Sequence, residues 1–289
     1  MTVPILSTLT LRAAREAART RGVPLSELFL LLELERSDLS RDALRALMRA
    51  RLEVMRQAVR RGLETPQHSR SGLIRGAAHR MKDWLEGSHS LLAPRFSRLV
   101  AAALAVSEVN ACMGRIVAAP TAGSCGVIPA VLFVVGEELG ASEESQVNAL
   151  FTAGGIGLVI ERLATLSGAE GGCQAEVGAA SAMAAGAAVE LAGGAPEQVE
   201  HAVALALANV LGLVCDPVDG LVEVPCVYRN VMGAANAVAC AEMALAGIPS
   251  LFSADAVIEA MGRVGRRLPE ELRETSRGGL AAIPRPHGT

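Results

Sequence analysis

The chain has 289 residues, of which 51% are hydrophobic and only 2% aromatic, and its formal net charge is −3. A hydrophobic content this high excludes a disordered protein, and so few aromatic rings leave almost nothing for stacking on nucleic-acid bases. The apolar residues are mainly small and are joined by 29 glycines, a composition that favours closely packed helices. We therefore predict an all-α fold, a compact bundle of small-residue-rich helices with glycine-rich connecting loops, and no nucleic-acid partner.

Charge is unevenly distributed along the sequence. Residues 1–100 carry 18 basic and 10 acidic side chains, whereas residues 101–289 carry 9 basic and 20 acidic ones. Such a division indicates regions with different roles, and it can also indicate a partner. We predict an N-terminal region, 1–95, of amphipathic helices followed by a polar site-forming segment, and a helical catalytic region, 96–289.

The first predicted elements are amphipathic helices within residues 1–62. Ser26 is expected to cap the segment SELFLLLELER, and Gly62 stands where a C′ glycine would end the arginine-rich helix before it. From residue 63 to 95 the chain becomes polar and glycine-punctuated. This change predicts either a linker or a segment that helps to form a site.

The region that follows is predicted to be helical and rich in small residues. Helices are expected at 97–114, 127–139, 143–165, 174–192, 196–212 and 229–246. The longest apolar run lies near Ala202–Cys215 and is interrupted by Asn209, whereas a membrane span needs about 20 apolar residues. The start of the sequence also lacks the basic segment of a signal peptide. We expect no membrane association, with the cytoplasm as the default location.

Five of the six cysteines fall into two kinds of context. Cys112 and Cys240 lie within predicted apolar helices, where a cysteine acts as a small hydrophobic residue. Cys173, Cys215 and Cys226 lie at predicted helix ends, from which their thiols can converge. Their C-x41-C-x10-C spacing lacks the close pairs of structural zinc sites and matches no common ferredoxin pattern. The residues alone leave both a metal centre and three structural cysteines open.

The position of Cys173 before a predicted helix adds a physical argument for a metal. A helix N-terminus carries a partial positive charge and free N–H groups. A [4Fe–4S] core bound by three thiolates is anionic and would be stabilised there. Three protein ligands would also leave one iron open as a Lewis acid.

The segment APTAGSCGVIPAVL, 119–132, leads directly into a predicted helix. Thr121, Ala122, Gly123 and Ser124 offer hydroxyl and backbone N–H groups of the kind that bind phosphate or carboxylate. The lysine of a P-loop is missing from this segment. The alternative is a tight turn between helices that Ser124 caps.

A pyridoxal phosphate enzyme needs a lysine for its Schiff base. Lys82 is the single lysine of the chain, and no phosphate-cradling glycine loop follows it. We therefore expect no pyridoxal phosphate. A Ser–His–Asp hydrolase is also not expected, because the sequence has no G-x-S-x-G elbow.

Four segments together resemble the iron–sulfur-dependent L-serine dehydratases, and in particular the alpha subunit of the two-chain bacterial form. These segments are APTAGSCGVIPAVL, GAEGGCQAEVGAASAMAA, NVLGLVCDPVDGLVEVPC and RNVMGAANAV. The resemblance implies that Cys173, Cys215 and Cys226 hold a [4Fe–4S] cluster with one open iron. It also implies that the enzyme converts L-serine to pyruvate and ammonia.

The same resemblance implies a substrate pocket lined by the TAGS turn and by an upstream S-x-[ST]-G segment, here Ser69, Ser71 and Gly72. The next residues read LIRGAAHR, whereas the family tends to read LTGGDAxK. A separate beta subunit is implied, with further histidines and serines of the site, and no catalytic base is assigned in this chain. The alternatives are a hydro-lyase acting on another small hydroxy acid and a non-catalytic helical scaffold.

Overall fold

The computed structural model describes residues 8–87 and 89–285, and within them the chain forms helices and loops without a β-strand. The prediction of an all-α bundle with glycine-containing loops is confirmed. The α-helices are α1 (Leu11–Arg21), α2 (Leu25–Arg36), α3 (Arg41–Glu64), α4 (Ala77–Glu86), α5 (Pro94–Ala111), α6 (Val127–Glu138), α7 (Glu143–Leu163), α8 (Gly168–Gly171), α9 (Ala179–Leu191), α10 (Pro196–Ala208), α11 (Cys226–Leu245) and α12 (Ala254–Arg267).

Helix α9 is the centre of the bundle. Every residue from Ala179 to Val189 is buried, and the helix packs against α6, α7, α10 and α11. A Cβ atom added to Gly186 would lie 2.3 Å from Cδ1 of Ile156, on α7. The small residues of α9 therefore allow its neighbours to approach closely on all sides, as the composition predicted.

Gly62 has a different role from the predicted one, because it lies inside α3 rather than at its end. A Cβ atom on Gly62 would lie 2.4 Å from the backbone oxygen of Ala105, on α5. The glycine thus permits a close contact between two helices, and α3 continues to Glu64. Local sequence does not distinguish this use of glycine from a helix end.

The predicted cap of α2 is also wrong. Pro24, with extended backbone, precedes the helix, and Ser26 already lies in its first turn. The helix begins at Leu25, whose side chain is buried, and the N–H of Ser26 donates to Oε1 of Glu190 at 3.3 Å. A carboxylate from α9 therefore takes the first-turn N–H that a local cap was expected to satisfy.

Several helix ends differ from the predicted ones by a few residues. Helix α5 stops at Ala111, so Cys112 follows the helix instead of lying within it. Met113 has a positive φ of 60°, which an L-residue does not adopt inside an α-helix. Helix α11 begins at Cys226, earlier than predicted. None of the helices in the described ranges is long and apolar enough to cross a membrane.

Arginines of the first three helices pair with acids of the C-terminal part of the chain. Arg15 lies 2.6 Å from Glu200, Arg49 lies 2.8 Å from Glu143, and Arg56 lies 3.2 Å from the same carboxylate. The opposite charges of the two predicted regions therefore meet, at least in part, within the molecule. Residues from both regions also contribute to one hydrophobic core.

Candidate functional site

The three cysteines expected to act together lie at element ends, around the start of the central helix. Cys173 precedes a π-helix, Gln174–Gly178, that continues into α9. Cys215 lies in the loop after α10, and Cys226 opens α11. All three are free thiols, and Cys173 and Cys215 are only 2% and 4% exposed.

The pKa values of two of these thiols, Cys215 and Cys226, depend on the charges of other cysteines in the set. Burial raises the pKa of Cys226 to about 12, with further contributions from the nearby Cys173 and Glu176. Burial likewise raises the pKa of Cys215 far above its usual range, followed by the charges of Glu176, Cys173, Glu274 and Cys226. Cys173 thus affects both other thiols and Cys226 affects Cys215, so the fold brings together residues that are distant in sequence.

Two carboxylates adjoin the cysteines, and neither was assigned a role from the sequence. The Sγ atom of Cys215 donates to Oε2 of Glu176 at 3.6 Å, and ligand atoms of Cys215, Glu176 and Glu274 all lie within 4.8 Å of one another. Burial raises the pKa of Glu176. The signal in the sequence for Glu176 was that it is the single charged residue of the segment CQAEVGAASAMAA.

One cation, Arg229, balances part of this charge. Its charge opposes the effect of burial, which raises the pKa of the Cys173 thiol to about 11. Its Nη1 donates to the carbonyl of Val214 at 2.8 Å, and its Nη2 lies 2.7 Å from Oδ1 of the buried Asp216. Arg229 therefore fixes the loop before Cys215 against the first turn of α11.

The donor set fits an iron–sulfur cluster. Iron–sulfur clusters take cysteine thiolates as ligands, and hydrogen bonds to the sulfur atoms tune them. The backbone N–H of Val177 and the side chain of Arg229 both act to lower the pKa of Cys173. Cys173 and Cys215 are buried, Cys226 is partly buried, and none of the three is paired as a disulfide. Metal binding would displace the protons that burial holds on these sulfur atoms.

The turn Thr121–Ser124 has the arrangement expected of an anion site. The N–H of Thr121 donates to Oγ of Ser124 at 3.3 Å, and the two hydroxyl oxygens lie 3.1 Å apart. The N–H groups of Ala122 and Gly123 donate to no acceptor among the described residues. Adjacent free N–H groups in a turn form a concave site for anions.

The same turn contacts the carboxylate next to the cysteines. The hydroxyl of Thr121 opposes the effect of burial on the pKa of Glu176, and Oε1 of Glu176 lies 3.3 Å from where a Cβ on Gly123 would stand. A side chain at position 123 would therefore push against Glu176. The turn and the cysteine cluster form one continuous site.

Asn230, which is buried, locks this arrangement from α11. Its Nδ2 donates to the carbonyl of Gly123 at 2.7 Å and to that of Cys226 at 2.8 Å. Its Oδ1 accepts the N–H of Gly126 at 2.8 Å. One side chain thus ties Gly123 in the TAGS turn, and Gly126 just after the turn, to the first residue of α11.

The upstream serines meet a second buried acid. Ser69 donates to Oε2 of Glu223 at 2.8 Å, and Ser71 donates to the same oxygen. Their hydroxyls also accept the N–H groups of Ile74 and Leu73, which shapes the turn that they form. Sequence reasoning named the serines and missed the acid, which stands between two valines in a loop.

A surface cleft of about 910 Å³ joins two of the expected substrate-binding segments, because Ser71 and Ala122 both line it, together with Glu223. Gly72 instead lines a neighbouring cavity of about 500 Å³. None of the cysteines expected to bind metal borders the cleft within the described residues, and the TAGS turn lies between. Lys82 is remote from the cleft's lining and pairs with Glu86 at 3.6 Å on α4.

The family model described as serine dehydratase alpha chain matches residues 4–281. The chain belongs to this family. The resemblance found in the sequence is therefore confirmed at the level of the family. The matched residues include the three cysteines, the TAGS turn and Glu223.

Curated relatives of this serine dehydratase alpha chain carry consistent names. It is 49% identical over 269 residues to a probable L-serine dehydratase, alpha chain, of Bacillus subtilis, covering 93% of this chain and 89% of that one. It is 43% identical over 272 residues to the L-serine dehydratase, alpha chain, of Peptoniphilus asaccharolyticus, covering 94% and 93%. An L-serine dehydratase of Streptomyces coelicolor is 42% identical over 276 residues, but the match covers only 58% of it.

Proposed function

We propose that this serine dehydratase alpha chain converts L-serine to pyruvate and ammonia, as a lyase that depends on a [4Fe–4S] cluster held by Cys173, Cys215 and Cys226. The observation that carries the proposal is the position of three buried or partly buried thiols beside the turn Thr121–Ser124, which has two free N–H groups. The names of the alpha-chain relatives support the substrate.

The chain's own groups bind and orient the substrate. The free N–H groups of Ala122 and Gly123, with the hydroxyls of Thr121 and Ser124, receive the carboxylate. When bound, the cluster supplies an open iron as a Lewis acid for the substrate hydroxyl. Loss of the Cα proton places negative charge next to the carboxylate, and donors already aimed at that group stabilise it.

A beta chain completes the site in this proposal. The mouth of the cleft is open and apolar, with Met113 92% exposed and Leu221 and Val222 each 37% exposed. We assign the catalytic base to the partner. Longer relatives such as the Streptomyces enzyme have sequence beyond the matched part. We also propose that the chain divides by role into an N-terminal region, 1–95, and a catalytic region, 96–289.

The proposal also keeps the cytoplasm as the compartment and makes no use of pyridoxal phosphate. All six cysteines are free, and thiols persist in reducing compartments. In an oxidising compartment these thiols could be oxidised before iron binds to them.

Anaerobic purification of the chain with and without a co-expressed beta chain tests the proposal. We expect about four iron and four sulfide per alpha chain and release of pyruvate from L-serine by the two-chain complex. A panel of small hydroxy acids supplies the comparison, and L-serine should be the preferred substrate. A complex without iron, or an iron-loaded complex that dehydrates only another hydroxy acid, contradicts it.

A further inference from the structure

Glu223 is a nearly buried carboxylate in the wall of the cleft, only 6% exposed. Both of its described hydrogen bonds, from Ser69 and Ser71, reach the same oxygen, Oε2. Among the described residues no donor reaches Oε1, and no arginine, lysine or histidine forms an ion pair with this side chain. Oε1 is also absent from the set of fully buried atoms that lack a partner, so it is open to the cleft.

A carboxylate in this position favours a cationic ligand. Burial of a negative charge is costly unless a positive group pairs with it. Two hydroxyl donors satisfy one oxygen of Glu223 but supply no countercharge. Each serine oxygen donates its proton to Glu223 and accepts one backbone N–H, which leaves one lone pair on each oxygen, and the two oxygens are 2.8 Å apart. Oε1 and these two oxygens are together three acceptors, and an ammonium group has three donors and no acceptor.

The position of Glu223 relative to the TAGS turn suits an α-amino acid. Glu223 and Ser71 share the cleft with Ala122. The adjacent Val222 lies 3.7 Å from where a Cβ on Gly123 would stand, so the loop that carries Glu223 touches the anion-binding turn. An amino acid has its carboxylate and its ammonium on one carbon atom, and the cleft offers donors and acceptors at neighbouring positions.

We propose that Glu223 binds the ammonium group of the substrate, with Ser69 and Ser71 as additional acceptors. This inference rests on the proposed function and deepens it, because it assigns to Glu223 the selection of an amino acid over a hydroxy acid. In this arrangement Ser69 and Ser71 act mainly by orienting Glu223 and completing its set of acceptors. The carboxylate of the substrate remains with the TAGS turn.

Binding of L-alanine and L-lactate to the anaerobic two-chain complex tests this assignment. The two ligands differ only in an ammonium or a hydroxyl on Cα, and neither has the β-hydroxyl that is eliminated, so calorimetry measures binding without turnover. We expect wild type to prefer L-alanine by about tenfold or more, the effect of a hydrogen bond to a charged group. Glu223→Gln keeps the shape and should abolish the preference, while Glu223→Asp should retain part of it.

Glu190→Gln is the matched control, since it replaces a partly buried carboxylate on α9 that bonds Ser26 and Thr152 and does not line the cleft. It should leave the preference unchanged. Circular dichroism and iron content verify each variant. Should Glu223→Gln fail to fold, Ser71→Ala is expected to weaken L-alanine binding while leaving L-lactate binding unchanged.

The outcomes separate this inference from the function on which it rests. If wild type holds iron and deaminates L-serine but Glu223→Gln keeps the wild-type preference for L-alanine, the ammonium site is wrong and the dehydratase proposal stands. If wild type lacks iron and turnover but the preference disappears in Glu223→Gln, the ammonium site stands and the dehydratase proposal fails.

Discussion

The side-chain amide of Asn230 donates to the carbonyl oxygen of Gly123 at 2.7 Å. A second proton of the same amide goes to the carbonyl of Cys226. The turn that offers N–H groups to an anion is therefore held in register with one of the three cysteines. Movement at either place is transmitted to the other through one buried side chain.

Asn230→Ala should weaken substrate binding, and the loss of affinity should exceed what the loss of folding stability alone would cause. The change leaves the carbonyl of Gly123 and the N–H of Gly126 without their partner, at about 1–3 kcal/mol for each buried group that stays unsatisfied. We expect a rise in KM for L-serine, measured in the loaded complex. Asn236→Ala is the control. Asn236 also lies on α11, but its side chain hydrogen-bonds Ser181 on α9 and the carbonyl of Ala206 on α10. This variant should lower stability without raising KM, and an equal rise in both variants would contradict the coupling.

Cys215→Ala should remove the cluster. Without this thiolate only two of the three proposed ligands remain, and we expect loss of iron, of the visible absorbance of the cluster, and of serine deamination. Cys240→Ala, in a core cysteine that is fully buried on α11, should keep all three properties. Iron analysis of both variants after the same anaerobic preparation makes the comparison. A Cys215→Ala enzyme that retains iron and activity would disprove the ligand assignment.

Thr121→Val should weaken serine binding while leaving the cluster spectrum intact. The substitution keeps the volume and removes the hydroxyl that contacts Ser124 and that lowers the pKa of Glu176. Loss of one hydrogen bond to a charged carboxylate corresponds to roughly tenfold in affinity. Thr165→Val provides a control, since that hydroxyl donates to Glu170 in another part of the surface. Unchanged serine affinity in Thr121→Val would remove this residue from the carboxylate site.

Glu190→Gln should change how stability depends on pH. Burial raises the pKa of Glu190 above its usual value, so the folded state favours the protonated form. The resulting stabilisation is complete below the unfolded pKa of about 4.3 and is lost as pH rises through the folded pKa. We expect wild type to lose stability relative to the variant over that range. Denaturant unfolding of both proteins at several pH values measures this, and parallel profiles would contradict it.

Gly62→Ala should destabilise the fold, although alanine favours a helix. Its Cβ would lie 2.4 Å from the backbone oxygen of Ala105 and 2.6 Å from its Cα, and overpacking of this kind costs about 1–3 kcal/mol or more. Gly154→Ala is the matched control inside α7, where nothing lies within 4 Å of the added atom. There we expect a gain of about 0.5–1 kcal/mol from helix propensity. Thermal unfolding of the two variants should shift in opposite directions.

Local patterns in the sequence were sufficient for the fold class and for most helices. The apolar segments and Pro196 at the start of α10 are signals that a short window contains. Gly62 shows where this fails, because a glycine that ends a helix and one that lets another helix approach look alike without the partner, here α5.

The candidate site was predictable as a set of residue types and less so as an arrangement. Cys173, Cys215 and Cys226 could be selected because helix ends are readable, but their meeting depends on how α9, α10 and α11 pack. Glu223 was missed because a glutamate between two valines in a loop normally faces solvent. Only the fold brings Ser69 and Ser71 onto it.

The central helix α9 has a consequence for how rigidly the site is supported. Seven of its 13 residues are alanine, and its interior is fully enclosed. Alanine and glycine have no rotamers to lose, so ordering these side chains costs almost no conformational entropy. For the same reason the helix has almost no alternative side-chain arrangements through which a strain could relax. Cys173 thus lies just before a rigid helical segment. This rigidity would keep the geometry of the site constant while a substrate enters and products leave.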